Sequence, residues 1–260
     1  MAKRSRATQE APQGSRQAVR RIDRDLGEVV LGPVRGHHAF ESCVGQLATA
    51  IRLGVFPLGS VLPPERELAD RMSVSRATLR EAIAALRTAG MVNTTRGRGG
   101  GTVVSHRPEA PEPGRVGQFA ERRDALLDAL VFRRVVEPGA CYVAANRKLD
   151  ATEADQLREA LADVASARGA PAHRQADSRL HLAIAGATGS PAIIRAVTRV
   201  QADLHEMLTA IPVLEVNIDH SNAQHEAIVE AVLAGDAVRA RRVMEAHCDD
   251  TAALLRGLLG

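Results

Sequence analysis

The sequence predicts a mainly α fold in two parts: a front unit of three helices closed by a small β-hairpin, then a back unit made only of helices. Three observations predict it. Apolar residues recur at three- and four-residue spacing over most of the chain beyond about residue 37. Strand-prone pieces are confined to 91–95 and 102–104. Between the parts, residues 105–118 (SHRPEAPEPGRVGQ) are rich in Pro, Glu and Gly and poor in apolar residues, the composition of a linker.

The chain has 260 residues, enough for one large domain or two smaller ones. Hydrophobic residues at 45% and charged residues at 25% exclude wholesale disorder. No apolar run approaches the roughly 18 residues of a membrane span. Cys43, Cys141 and Cys248 are odd in number and form no CxxC pair. This argues against a disulfide framework or a cysteine zinc finger and fits a reducing, cytoplasmic location. Residues 1–30 are polar and basic without a sustained period, as expected of a mobile tail, and lack the apolar core of a secretory signal.

Charge is uneven. Residues 1–107 hold 17 Lys+Arg against 9 Asp+Glu; the remainder holds 17 against 22. A basic front on an acidic back suggests an anionic partner for the front, nucleic acid first. Only Lys3 and Lys148 are lysines, however, and an Arg- and Ala-rich composition also follows from a GC-rich genome. The motifs must decide.

In the front unit (31–104), Phe40, Val44, Leu47, Ala48 and Ile51 mark the first helix. Pro57 and Gly59 break it. LPPERELADRM gives a short second helix with Pro64 near its first turn, where a missing N–H costs little. Ser73-Val74 leaves room only for a tight turn. Ser75 can cap the third helix, Leu79, Ile83 and Leu86 form its buried stripe, and Gly90 can end it. RGRGGG (96–101) then turns the hairpin.

That order is a winged helix-turn-helix, whose third helix enters a DNA major groove N-terminus first. Its leading residues are Ser75, Arg76, Ala77, Thr78 and Arg80. Arginine can make bidentate contacts to guanine, and hydroxyls and first-turn N–H groups suit phosphates. Arg66 would reach the flanking backbone or a base edge, and Arg96 and Arg98 would lie toward the minor groove. The competing reading makes these segments ordinary solvated helix faces with pairs such as Glu67–Arg71.

Residues 47–104, LATAIRLGVFPLGSVLPPERELADRMSVSRATLREAIAALRTAGMVNTTRGRGGGTVV, resemble the DNA-binding domain of the GntR family of bacterial transcription regulators. The resemblance implies that Arg66, Ser75, Arg76, Thr78, Arg80 and Gly97 fall on family DNA-contact positions. The wing departs from the family pattern. Its G-x-G step carries surplus glycine and no aromatic, so either Gly97 or Gly99 can open it.

The back unit (119–260) reads as helices near 119–132, 134–147, 152–168, 172–187, 191–210, 217–234 and 236–258, with Thr152 and Asp236 as N-caps. Asp177 and His181 stand four apart on one helix face; His225 and His247 lie on later amphipathic helices. Three imidazoles and one carboxylate meeting from three helices would hold a divalent metal, but spacing alone is a weak signal. FRRVVEPGACYVAA (132–145), ADSRLHLAIAGATGSP (176–191) and 220–250 resemble the FCD ligand-binding domain of the FadR subfamily. The resemblance implies a metal held by Asp177, His181, His225 and His247. Zinc stands first, and nickel or manganese is compatible with the same N/O set. It also places Arg133 where a guanidinium could fork onto an effector carboxylate, with Arg134 as a neighbour able to fill the role. A pairing of Arg133 with an acidic side chain in the bundle is the plainer alternative. His173, His205 and His220 are not expected to be ligands.

The expected function is a transcription regulator, a repressor. It would bind double-stranded operator DNA as a homodimer and respond to a small carboxylate effector at the metal. The runner-up is a metal-dependent hydrolase with a fused DNA-binding domain.

Overall fold

A computed structural model describes residues 30–33, 39–95, 101–107, 123–209 and 215–259. The front unit runs α1 (Ala39–Arg52), α2 (Glu65–Met72), α3 (Arg76–Thr88), β1 (Val92–Thr95) and β2 (Gly101–Val104). The back unit runs α4 (Arg123–Ala145), α5 (Ala151–Ser166), α6 (Ala170–Ala187), α7 (Pro191–Thr209), α8 (Glu215–Leu233) and α9 (Ala237–Leu259). Among the described residues, no helix is long and apolar enough to cross a membrane.

The front unit closes around Leu47, Ile51, Leu68, Met72, Leu79, Ile83 and Leu86, all buried. Phe40, read as part of the apolar stripe of α1, is instead 38% exposed at the start of that helix. The turn from α2 to α3 needs one residue in the left-handed region, and Ser73 supplies it at φ 54°. Ser75 then caps α3, its hydroxyl accepting the Thr78 N–H at 3.0 Å. β1 and β2 pair antiparallel, Val92 opposite Val104 and Thr95 opposite Gly101. The segment before α2 adds to this ribbon: the Leu62 N–H donates to the Thr102 carbonyl at 2.8 Å, and Val61 bridges Val103. The breaking residues there signal only a turn, so this third lane was not legible. It explains one of the surplus glycines, because a Cβ on Gly101 would meet the Val61 side chain at 2.9 Å.

In the back unit, the helices expected at 119–132 and 134–147 are one continuous helix, α4, with Pro138 inside it. Buried Leu126, Leu130, Arg133, Glu137, Ala140, Cys141 and Ala144 follow one unbroken three- and four-residue spacing. That stripe holds the helix together across the lost N–H. α5 is capped by Asp150 rather than Thr152: Asp150 accepts the Glu153 N–H at 2.8 Å and donates its own N–H to the Glu153 carboxylate at 3.0 Å. Asp236 caps α9 as expected, accepting the Arg239 N–H at 2.9 Å.

The two units share a core. The front cluster continues into Ala140 of α4, Leu182 and Ala185 of α6, and Ile194 and Val197 of α7. Gln175 of α6 donates its amide to the carbonyls of Arg52 at 3.0 Å and Ile51 at 3.4 Å, satisfying the C-terminal end of α1. The linker composition gives no hint of this docking.

Candidate metal centre and nucleic-acid interface

α6 delivers Asp177 and His181, α8 delivers His225 and α9 delivers His247 to one point between the helices. Each offers one ligand atom, and these atoms all lie within 4.8 Å of one another. The ring centroids of the three histidines are 5.5, 5.2 and 4.7 Å apart. All three histidines are buried, and His225 is fully so.

The donor set fits a metal. His225 Nδ1 and Nε2, His181 Nε2 and His247 Nε2 are buried without hydrogen-bond partners, a state that costs free energy unless something else satisfies them. His225 Nε2 stands 3.2 Å from Asp177 Oδ1 yet outside hydrogen-bond geometry. Two ligands at about 2.1 Å from a shared ion would stand roughly 3.0–3.4 Å apart. Burial, foremost, pushes the His225 pKa down to about 4; Asp177 works against this, while His181, His173 and Arg133 add to it. Burial, then the charges of His225, Arg133 and His181, hold His247 well below the usual imidazole range. Both rings are therefore neutral at pH 7, the form that binds metals.

Surrounding groups orient these rings. Gln224 donates its amide N–H to Asp250 at 2.7 Å, which leaves its carbonyl oxygen 3.0 Å from His247 Nδ1. His247 must then carry its proton on Nδ1 and turn a lone pair on Nε2 inward. His220 stands 3.0 Å from the same Asp250 carboxylate, two removes from the cluster, and His173 meets Asn222 at 3.2 Å.

Arg133 takes the plainer partner that its position allows: its Nε donates to Glu137 at 2.9 Å, and both side chains are buried. It also borders the cluster, because the same Glu137 oxygen stands 3.0 Å from His181 Nδ1. Arg133 Nη1 is buried without a partner. Burial alone would raise the Glu137 pKa, but Arg133, His181 and Gln201 hold it well below the usual carboxylate range. Gln201 donates to the other Glu137 oxygen at 2.6 Å. Arg134 turns away to Asp249 and Glu245 on α9. Glu137, Gln201 and Gln224 were missed in the sequence. The Arg133–Glu137 spacing of four was the one available signal.

On the winged unit, Ser75, Arg76, Ala77 and Arg80 are exposed at the leading end of α3, and Thr78 is half-buried. Arg66 is exposed on α2. Neither Arg66 nor Arg76 has a partner among the described residues, whereas Arg80 Nε donates to Glu65 at 2.8 Å. Glu67 pairs with Arg71 along α2. Arg96, Gly97 and Arg98 lie outside the described residues.

The model of the bacterial regulatory proteins of the gntR family matches residues 41–104, and that of the FCD domain matches 128–250. The chain belongs to the GntR family. Its winged domain followed by an FCD domain is the FadR-like architecture. A protein of Mycobacterium gastri, provisionally named the HTH-type transcriptional regulator RmpR, is 32% identical over 80% of this chain and 76% of its own length. A protein of Escherichia coli (strain K12), provisionally named the L-lactate dehydrogenase operon regulatory protein, is 32% identical over 73% of this chain and 75% of its own. The solved structure of Streptococcus agalactiae GntR aligns with TM-score 0.44 and 25% identity over 82% of this chain and 99% of that one. This GntR-family chain is thus a transcription regulator and not an enzyme. The hydrolase reading falls, and Glu226, beside His225, points out to solvent.

Proposed function

We propose that the chain is a repressor that binds operator DNA as a homodimer and releases it when a small carboxylate binds at a metal in the FCD domain. One observation carries the reading: the helix that supplies two of the four candidate ligands also holds the DNA-binding unit. On α6, Gln175, Arg179 and Leu182 stand roughly 140–160° round the helix from Asp177. Gln175 ends α1, Leu182 enters the shared core, and Arg179 Nη1 lies where a Cβ on Gly54 would be 3.0 Å away. A movement of α6 at the histidine cluster is therefore a movement of the floor under the winged unit.

A divalent cation held by Asp177, His181, His225 and His247 would supply concentrated positive charge with positions left for an acidic ligand. The chain's own part is to fix that ligand. Arg133 Nη1, buried and unpaired, offers a charge-assisted hydrogen bond to a carboxylate. Glu137 holds the guanidinium in place while spending only its Nε on that contact. The E. coli relative's name points to a short 2-hydroxy acid as the first class to try. By linkage, an effector that binds the DNA-free form better must weaken DNA binding by the same factor.

The test is fluorescence anisotropy with the promoter region of the protein's own gene, using metal-loaded protein with and without L-lactate and related small acids. Expected are salt-sensitive, sequence-selective binding and its loss with one acid class. Binding that ignores sequence would sink the operator reading. Sequence-selective binding that no acid alters, with a chelator lowering only thermal stability, would make the metal structural.

A further inference from the structure

The seam between the two units is not apolar throughout. Ile194 and Val197 of α7 enter the front core. Beside them lies a cavity of about 630 Å³, within the size range of small-molecule sites. Its wall on the back unit is a row along α7: Arg195, Thr198, Arg199, Ala202 and Asp203. At about 100° per residue, these five stay within about 70° of one line along the helix. The winged unit supplies the other wall through Gly45, Gln46 and Thr49 of α1, and Val30, Gly32 and Pro33 complete the lining. Helices that meet only to pack bring apolar residues to the contact. Here both helices bring small or polar ones.

The lining sorts by hydrogen-bond role. Arg195 and Arg199 stand one turn apart, exposed, and neither has a partner among the described residues. Like charges at that spacing destabilise a helix unless an anion meets them. The Gln46 carbonyl oxygen accepts the Gly32 N–H at 3.0 Å, which leaves its amide N–H groups to donate elsewhere. Thr198 donates its proton to the Ile194 carbonyl at 2.8 Å, so its oxygen can only accept from a ligand. The Asp203 carboxylate is likewise an acceptor. We propose that this cavity is a second ligand site and takes a small phosphorylated sugar or polyol. A phosphate dianion offers three acceptor oxygens to two guanidiniums and an amide, where a carboxylate offers two in one plane. The hydroxyl groups of such a ligand donate to Thr198 and Asp203, which a bare anion cannot do. The inference stands apart from the metal, the effector and the dimer proposed above. Because both units wall the cavity, a ligand there favours their docked arrangement. α7 also carries Gln201, which donates to Glu137 beside the histidine cluster, so both sites bear on one helix.

The test uses the full chain in buffer free of phosphate and sulfate. Glycerol 3-phosphate and glucose 6-phosphate are titrated by isothermal calorimetry, with thermal unfolding followed alongside. Expected are one equivalent bound per chain and a raised melting temperature. Arg195→Gln and Arg199→Gln, both at exposed side chains, should each weaken binding roughly tenfold or more. Gly45→Leu gives a readout independent of charge. A Cβ there meets nothing within 4 Å, so the side chain can enter the cavity and should block binding with both arginines intact. Asp177→Asn, at the histidine cluster, should bind the phosphates as the wild type does. Failure of both sugar phosphates to bind at millimolar concentration overturns the proposal. Binding that survives the double Arg195→Gln, Arg199→Gln variant overturns it too. Binding lost in Asp177→Asn would move the ligand to the histidine cluster, and succinate bound in place of the phosphates would refute the ligand class. Weakened operator binding in the double variant, with no sugar phosphate bound, would assign the row to the DNA backbone instead.

Discussion

Replacing Gln175 with Ala tests the route from sensor to DNA-binding unit. The side chain is 7% exposed and spans the two units with two hydrogen bonds. The Ile51 carbonyl keeps a second donor, the Gly54 N–H at 3.0 Å, so its contact at 3.4 Å carries little. The Arg52 bond at 3.0 Å is the one that matters, because that carbonyl ends α1. A net protein hydrogen bond is worth about 0.5–1.5 kcal/mol, and a buried carbonyl left unmet adds to the loss. Truncation should therefore weaken docking by about 1–2 kcal/mol, a shift of roughly 5–30-fold between docked and undocked forms. Thermal unfolding should fall by roughly 2–4 °C per kcal/mol lost. Operator affinity should then respond less to metal and acid, while metal affinity itself stays unchanged, since Gln175 faces away from Asp177. Full coupling and an unchanged melting temperature in Gln175→Ala would refute the claim that α6 carries the signal.

Three further outcomes are expected. Arg76→Ala should weaken operator binding by about 1–3 kcal/mol if it reads a base, and should relax sequence preference at one position; unchanged affinity in anisotropy titrations removes it from the reading set. His225→Ala should abolish metal binding measured by isothermal calorimetry, whereas His220→Ala, two removes away, should leave most of it; equal effects would contradict the assigned ligand set. The metal-free protein should lose stability on acidification. Folded His225 titrates at about 4, but unfolded it takes up a proton near 6.5. The unfolded chain thus binds more protons between those values, so stability is complete above about pH 6.5 and falls as pH drops toward 4, by roughly 3 kcal/mol for this residue. A flat stability profile in urea titrations at pH 7, 6 and 5 would show that burial does not hold His225 neutral.

How much of this was legible in the chain varies with the kind of interaction. The third helix was readable because its signals are local: Ser75 caps it, Leu79, Ile83 and Leu86 line one face, and Gly90 closes it. The hairpin followed from the strand-prone pieces at 91–95 and 102–104, but not its contact with Val61, which is fixed by pairing across the sequence. The break expected between 132 and 134 does not form, because a buried stripe from Leu126 to Ala144 runs through it, and only neighbouring helices create that burial. Thr152 has the chemistry of a cap, but the Asp150–Glu153 capping box, equally local in the sequence, takes the position because it satisfies two backbone N–H groups at once.

The sequence by itself determined the helices, the leading arginines and hydroxyls of α3, and the four residue types that can hold a metal, because periodicity and side-chain chemistry are properties of short segments. Only the tertiary structure decided that His181, His225 and His247 converge. It alone decided that Arg133 turns inward onto Glu137 while Arg134 turns outward, and that α6 joins the sensor to the winged unit. Those facts depend on how helices far apart in sequence rotate about their axes when packed. That rotation is fixed by the summed burial of every face at once, which no single segment encodes.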